Sequence, residues 1–112
     1  MTGATYKGIS DLIASIGIPY AYYQFPEGTA EPTPFICFYY SGEGGVYADN
    51  INFAKRVDLT IELYTDEKRF DLEQAIETIL NENELPFVRY ESYIDSEQMI
   101  LNTYETEVFI NG

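Results

Sequence analysis

No histidine occurs in the 112 residues, and there is one cysteine, Cys37. The first absence removes the commonest general base and the commonest transition-metal ligand. The second excludes an internal disulfide and any zinc site built from a cysteine cluster. Positive charge is also scarce: six Lys+Arg stand against 19 Asp+Glu, a net charge of -13. A phosphate backbone would be repelled, so non-specific nucleic-acid binding is not expected. An anionic membrane surface is disfavoured for the same reason. No run approaches the ~18 consecutive apolar residues of a membrane-spanning helix. No apolar run follows Lys7, so no signal peptide is expected either. The expectation is a soluble chain made in the cytoplasm, with Cys37 reduced.

What is present is aromatic surface and acid. The chain holds 11 Tyr and 7 Phe among its 46% hydrophobic residues. Much of its apolar area therefore ends in a hydroxyl that needs a partner or water. The acids are unevenly placed: residues 1–56 carry 5 acids and 3 bases, residues 57–112 carry 14 acids and 3 bases. The second half is expected to present a strongly negative surface, which at minimum confers solubility. Length points to one domain spanning residues 1–112.

Periodicity gives the elements. Tyr6, Ile9, Ile13 and Ile16, with Leu12, make one apolar stripe and predict a helix at about 4–16, capped by Thr2 or Thr5 and stopped at Gly17. The aromatic run 20–25 reads as a strand or edge segment, and the proline-bearing stretch 26–34 as a loop. Residues 35–40 are continuously apolar, the mark of a strand covered on both faces. Gly42, Gly44 and Gly45 predict that 41–50 is a flexible loop, ordered only on assembly. Val57, Leu59, Ile61 and Leu63 alternate with Asp58, Thr60, Glu62 and Tyr64, a half-buried strand. A second helix is expected at about 67–83, with Phe70, Leu72, Ala75, Ile76, Ile79 and Leu80 on its apolar face and Thr65 or Asp66 as its cap. Its Glu73 and Glu77 are a like-charge pair at i,i+4, which a sequence optimised for stability alone would avoid. A strand at 87–90, a turn at 92–96 and a long strand at 97–110 complete the chain, the last with a bulge near 102–103 to reconcile its two apolar phases. The order α-β-β-β-α-β-β predicts an α+β domain: a mixed, mostly antiparallel sheet of four to five strands with two helices on one face. The expected core is Ile9, Ile13, Ile16, Val57, Leu59, Ile61, Leu63, Ile76, Ile79 and Leu80.

Candidate chemistry is thin. Paired carboxylates serve glycoside hydrolysis, but Asp58, Glu62, Asp66, Glu67, Glu105 and Glu107 fall where a solvated face is the simpler reading. Gly42–Gly45 lacks the Lys-Ser/Thr of a phosphate loop and precedes no helix. Asp49-Asn-Ile-Asn52 has oxygen ligands without EF-hand spacing, so a capped turn is preferred to a calcium site. Cys37 between Ile36 and Phe38 reads as a small buried hydrophobe rather than a nucleophile. No catalytic, cofactor-binding or metal-ligating residue is assigned, and the chain is read as a non-enzyme. Aromatics remain in surplus. Parity puts Phe35 and Tyr39 on one side of their strand and Phe38 and Tyr40 on the other, more than one helix-covered face requires. Exposed Tyr and Phe in a patch mark a protein interface. Tyr22, Tyr23, Tyr40, Gly44, Gly45, Tyr47 and Tyr64 are its expected residues.

Nearly the whole chain also resembles a family. The stretches that carry the likeness are Pro19-Tyr-Ala-Tyr-Tyr23, Pro26-Glu-Gly28, Pro34-Phe-Ile-Cys-Phe-Tyr-Tyr40 and Tyr47-Ala-Asp-Asn50. Glu62-Leu-Tyr-Thr65 and Glu97-Gln-Met99 leading to Tyr104-Glu-Thr-Glu-Val108 add to it. They resemble the tail-terminator, or tail-completion, group of head–tail joining proteins from long-tailed phages and prophages of Gram-positive bacteria. The resemblance implies a virion subunit made in the host cytoplasm that forms a ring with itself, usually six-fold. Such a ring caps the tail tube and meets the connector or neck proteins of the head. DNA only passes through its lumen, without specific binding, and no cofactor or membrane is implied. A head-closure or minor capsid role fits the same residues. An acidic DNA-mimic that inhibits a basic host protein is the rival from another class, and a small enzyme working with carboxylates alone is a further one.

Overall fold

The structure is a computed structural model describing residues 4–26, 31–48 and 51–110, without the side chains of 45–48 and 51–54. Its elements run α1 (Tyr6–Ala14), β1 (Tyr20–Tyr22), β2 (Phe35–Ala48), β3 (Ile51–Thr65), α2 (Phe70–Glu82), β4 (Phe87–Ile94) and β5 (Met99–Ile110). The five strands form one sheet in the order β1-β2-β3-β5-β4. β1 joins β2 in parallel and every other pair is antiparallel. Both helices pack on one face, as the order of elements predicts.

α1 is shorter than its apolar stripe. Thr5 accepts from the Gly8 amide at 2.9 Å and sets the start. Gly17, at φ 91, turns the chain out beyond the end. α2 begins at Phe70 rather than 67, and neither Thr65 nor Asp66 caps it. Arg69 holds the cap position without a side-chain bond. Phe70 is not on the apolar face either: it is 73% exposed, with the Lys68 ammonium 4.9 Å from its ring centre.

The core lies between the helices and the inner sheet face. Ile9 and Ile13 of α1 and Leu72, Ile76 and Leu80 of α2 meet Ile36, Phe38, Val57, Leu59, Ile61, Leu63, Tyr104, Val108 and Ile110. Of the residues expected there, Ile16 is only partly buried against the cluster and Ile79 is half-buried beside it. β5 settles its phase without a bulge. Asn102, Tyr104, Thr106, Val108 and Ile110 are all buried, and the register with both neighbours is unbroken. The two apolar phases seen in the sequence reflect the fact that two of the five buried positions are polar, Asn102 and Thr106.

Ser41–Ala48 is not a loop but the second half of β2. It pairs with β3 from Gly42↔Asp58 to Ala48↔Ile51, with register shifts at Tyr40/Gly42 and Val46/Tyr47. The glycines there serve close approach rather than mobility. A Cβ on Gly42 would sit 2.8 Å from Asp58 Oδ2, and one on Gly44 3.1 Å from an Arg56 guanidinium nitrogen. Asp49 and Asn50, the proposed calcium-or-turn pair, lie outside the described residues. The β2–β3 ribbon accounts for the elongated shape, 51 × 29 × 22 Å. At the other end of the chain β4 reaches Ile94, and the turn falls at 95–98, where Gln98 has φ 53.

Candidate interaction surface

The register assigns every sheet side chain to a face. Asp58, Thr60, Glu62 and Tyr64 of β3 lie opposite Glu107, Glu105, Thr103 and Leu101 of β5. Phe35, Cys37 and Tyr39 extend this outer face across β2, and Val88, Tyr90 and Ser92 extend it across β4. Among the described residues no helix or further strand lies over it, but the rings of Tyr23 and Phe25 pack on its β2 side, and Cys37 and Thr60 are buried there. At residues 36–38 β2 is covered on both faces, as its apolar run predicts: the helices lie over Ile36 and Phe38, and Cys37 on the outer face is buried among the rings of Phe25, Phe35 and Tyr64. The outer face has an acidic middle and apolar flanks. Arg56 answers part of the charge, with one guanidinium nitrogen 3.0 Å from both Asp58 and Glu107. On the β4 side Val88, Tyr90 and Phe109 are exposed, Tyr90 by 56%.

On the β1 side aromatics run around the sheet edge in ring-to-ring contact. Tyr6 meets Tyr40 edge-on at 5.0 Å, Tyr40 meets Tyr22 at 5.9 Å, Tyr22 meets Tyr23 at 4.8 Å, and Tyr23 stacks flat on Tyr39 at 5.3 Å. The run thus passes from the helix side to the outer face. Tyr23 turns this corner with φ 67, a left-handed conformation that is unusual for a bulky side chain, and its stack on Tyr39 holds it there. A second aromatic run, Phe25–Phe35–Tyr64, follows on the outer face at 5.4 and 4.8 Å.

Of the residues expected at an interface, Tyr22, Tyr23 and Tyr40 come together at the β1–β2 edge. Tyr64 stands apart on the outer face, its hydroxyl donating to Glu62 at 3.0 Å. Gly44 faces Arg56 across the ribbon, and Gly45 pairs with Lys55. Tyr47 pairs with Asn52, and its side chain lies outside the described residues. Tyr6, Val88, Tyr90, Tyr93 and Phe109, which the sequence does not single out as contact residues, are exposed as well. The alternation of 87–90 carried a signal for Val88 and Tyr90, but nothing local shows that β4 is an edge strand.

Electrostatics across these groups run one way. Burial, reinforced by Glu62, pushes the Cys37 thiol up to about 11. Burial, with Tyr22 and Tyr6 beside it, raises Tyr40 to about 12. Tyr64 and Tyr39 rise for the same first reason, with Glu62 adding to it. Neutral phenols and a neutral thiol suit contact rather than nucleophilic chemistry.

Away from this surface, the like-charge pair on α2 has its explanation. Glu73 is buried, and Lys68 donates to it at 2.8 Å, Arg89 at 3.5 Å and Asn102 at 3.3 Å. Arg89 also donates to Asn102 at 2.6 Å and lies 3.8 Å from Glu77, which accepts from the Tyr104 hydroxyl at 3.1 Å. Lys68 reaches Glu91 as well. Residues from Lys68 to Tyr104 are joined here in one polar network that ties α2 to β4 and β5.

No family model matches the chain, and no curated protein does. Among solved structures it is similar to a chain from the virion of a native gene transfer agent particle, with a TM-score of 0.54 over 96% of this chain and 89% of that one. Identity is 15%. The likeness shows a shared fold.

Proposed function

We propose that this chain is a structural subunit of a phage or prophage virion, working in a ring at the end of the tail tube that ends tube growth and joins tail to head. One observation carries the reading: the outer sheet face is left open with aromatic and apolar flanks, on a domain whose fold recurs in a virion particle. A ring needs a heterologous contact, in which two different patches of each subunit meet. Here one patch is the β4 flank, with Val88, Tyr90 and Phe109, and the other is the β2–β3 ribbon. Six-fold closure is the expectation from the sequence resemblance. The acidic middle of the outer face suits a lumen through which DNA passes without adhering.

The test is assembly on purified tail tubes. The wild-type chain should co-sediment with them as a ring of about six 12.8 kDa subunits. Val88→Ser with Tyr90→Ser should keep the fold and lose ring and tube attachment. A chain that stays monomeric with tubes and captures a basic host protein instead would favour the acidic-inhibitor reading. Attachment to head connectors but not to tubes would favour head closure.

A further inference from the structure

One aromatic notch has a composition that the ring contact does not account for. Tyr6, Tyr22, Phe38, Tyr40 and Glu43 line an open hollow at the β1–β2 edge, on the helix side of the sheet. Tyr22 stands edge-on to Phe38 at 5.3 Å, and Tyr6 edge-on to Tyr40 at 5.0 Å, so the rings present both faces and edges to the hollow's walls. The Tyr40 hydroxyl is buried with no hydrogen-bond partner among the described residues. The Tyr22 hydroxyl accepts from the Tyr40 amide at 3.2 Å, which fixes that ring across the unpaired part of β2. Glu43 adds a carboxylate at the rim; Lys55 lies 3.7 Å from it with both side chains well exposed, a weak pair that an incoming cation can displace.

Aromatic walls with a carboxylate at the rim attract a cation: ring faces carry negative potential, and the carboxylate adds a full charge. We propose that this notch receives a lysine or arginine side chain from a basic partner protein. It rests on the reading of Tyr22 and Tyr40 as contact residues and names the chemistry of what they contact. It does not depend on the ring. The partner is a different, basic chain rather than a second copy because this subunit offers few cations, six Lys+Arg against 19 Asp+Glu. Each of its six basic residues already has an acid partner in its own chain: Lys7 with Asp11, Lys55 with Glu43, Arg56 with Asp58, Lys68 with Glu73, Arg69 with Asp71 and Arg89 with Glu73. Among the described residues β2 has no strand partner on its β1 side beyond Tyr40, and an extended segment can lie along that edge while its side chain enters the notch.

The experiment is an NMR titration of the full chain with a short Gly/Ser peptide carrying one lysine, run beside the same peptide with norleucine. Saturable shifts at Tyr6, Tyr22 and Tyr40, with upfield movement of the lysine ε-methylene, are expected for lysine only. Tyr22→Leu should abolish them, and Glu43→Gln should weaken binding about fivefold. Folding of both variants is read from the dispersion of the remaining signals. Equal binding of norleucine would overturn the proposal, because the notch would then be merely apolar. So would lysine shifts confined to the Glu105 and Glu107 face, or notch shifts that grow with protein concentration in the absence of peptide. Tube attachment is read in a separate assay, so failure of lysine binding and failure of the ring reading are distinguishable.

Discussion

Arg89 ties α2 to β4 and β5 through polar contacts. It touches Glu73, Glu77, Glu91 and Asn102, and it leaves Glu73 buried among hydrogen bonds instead of bare charge. Arg89→Ala is expected to lower stability by about 2–3 kcal/mol, less than for a fully enclosed pair because the arginine is partly exposed. Urea denaturation checks this, and a change within experimental error would mean that Lys68 and Asn102 suffice. The tyrosines make a second residue-scale prediction. Tyr40 is held at about 12, and Tyr39, Tyr64 and Tyr104 are also raised, all by burial first. A raised folded value means that the phenol stays neutral after the unfolded chain would ionise. The stabilisation is therefore complete below about pH 10, the unfolded value, and is lost as pH rises through the folded values. Melting temperature should fall steeply above about pH 10, with part of the tyrosinate absorbance appearing only on unfolding. Glu91 runs the other way: its hydrogen bond from Lys68 depresses it, so its small contribution is present above about pH 4.3 and lost on acidification. None of this was legible in the sequence. Glu73 and Glu77 showed only as an unfavourable pair, because the arginine that reconciles them is a strand away.

Elements were legible wherever one face is buried. Alternation found β3, and the apolar stripes found both helices to within a few residues. The error at Ser41–Ala48 has a physical cause: three glycines in four positions signal freedom in an isolated chain, whereas here two of them make room for Asp58 and Arg56. Amides of β2 that bond to β3 between Gly42 and Val46 should accordingly exchange slowly in the free subunit. Exchange at the rate of an unstructured peptide would mean that the ribbon forms only on assembly. The missed β4 edge has a different cause. Strand order is set by pairing between residues far apart in sequence, and local patterns do not encode it.

For the whole molecule, the sequence foretold a surface surplus without saying where it lies. The fold sorts the aromatics into core members such as Tyr104 and Phe38, an edge run from Tyr6 to Tyr39, and an open outer face ending in Val88 and Tyr90. A net charge of -13 on each subunit opposes association, so contact depends on surfaces that fit and on partners that bring positive charge. The proposed terminating ring would use both the open face and the acid. The direct measurement is electron microscopy of particles assembled with and without this chain. The account predicts that, without it, tails are of irregular or excessive length and lie free of heads, and that adding the chain restores length and attachment. Tails of normal length, joined to heads in its absence, would contradict it.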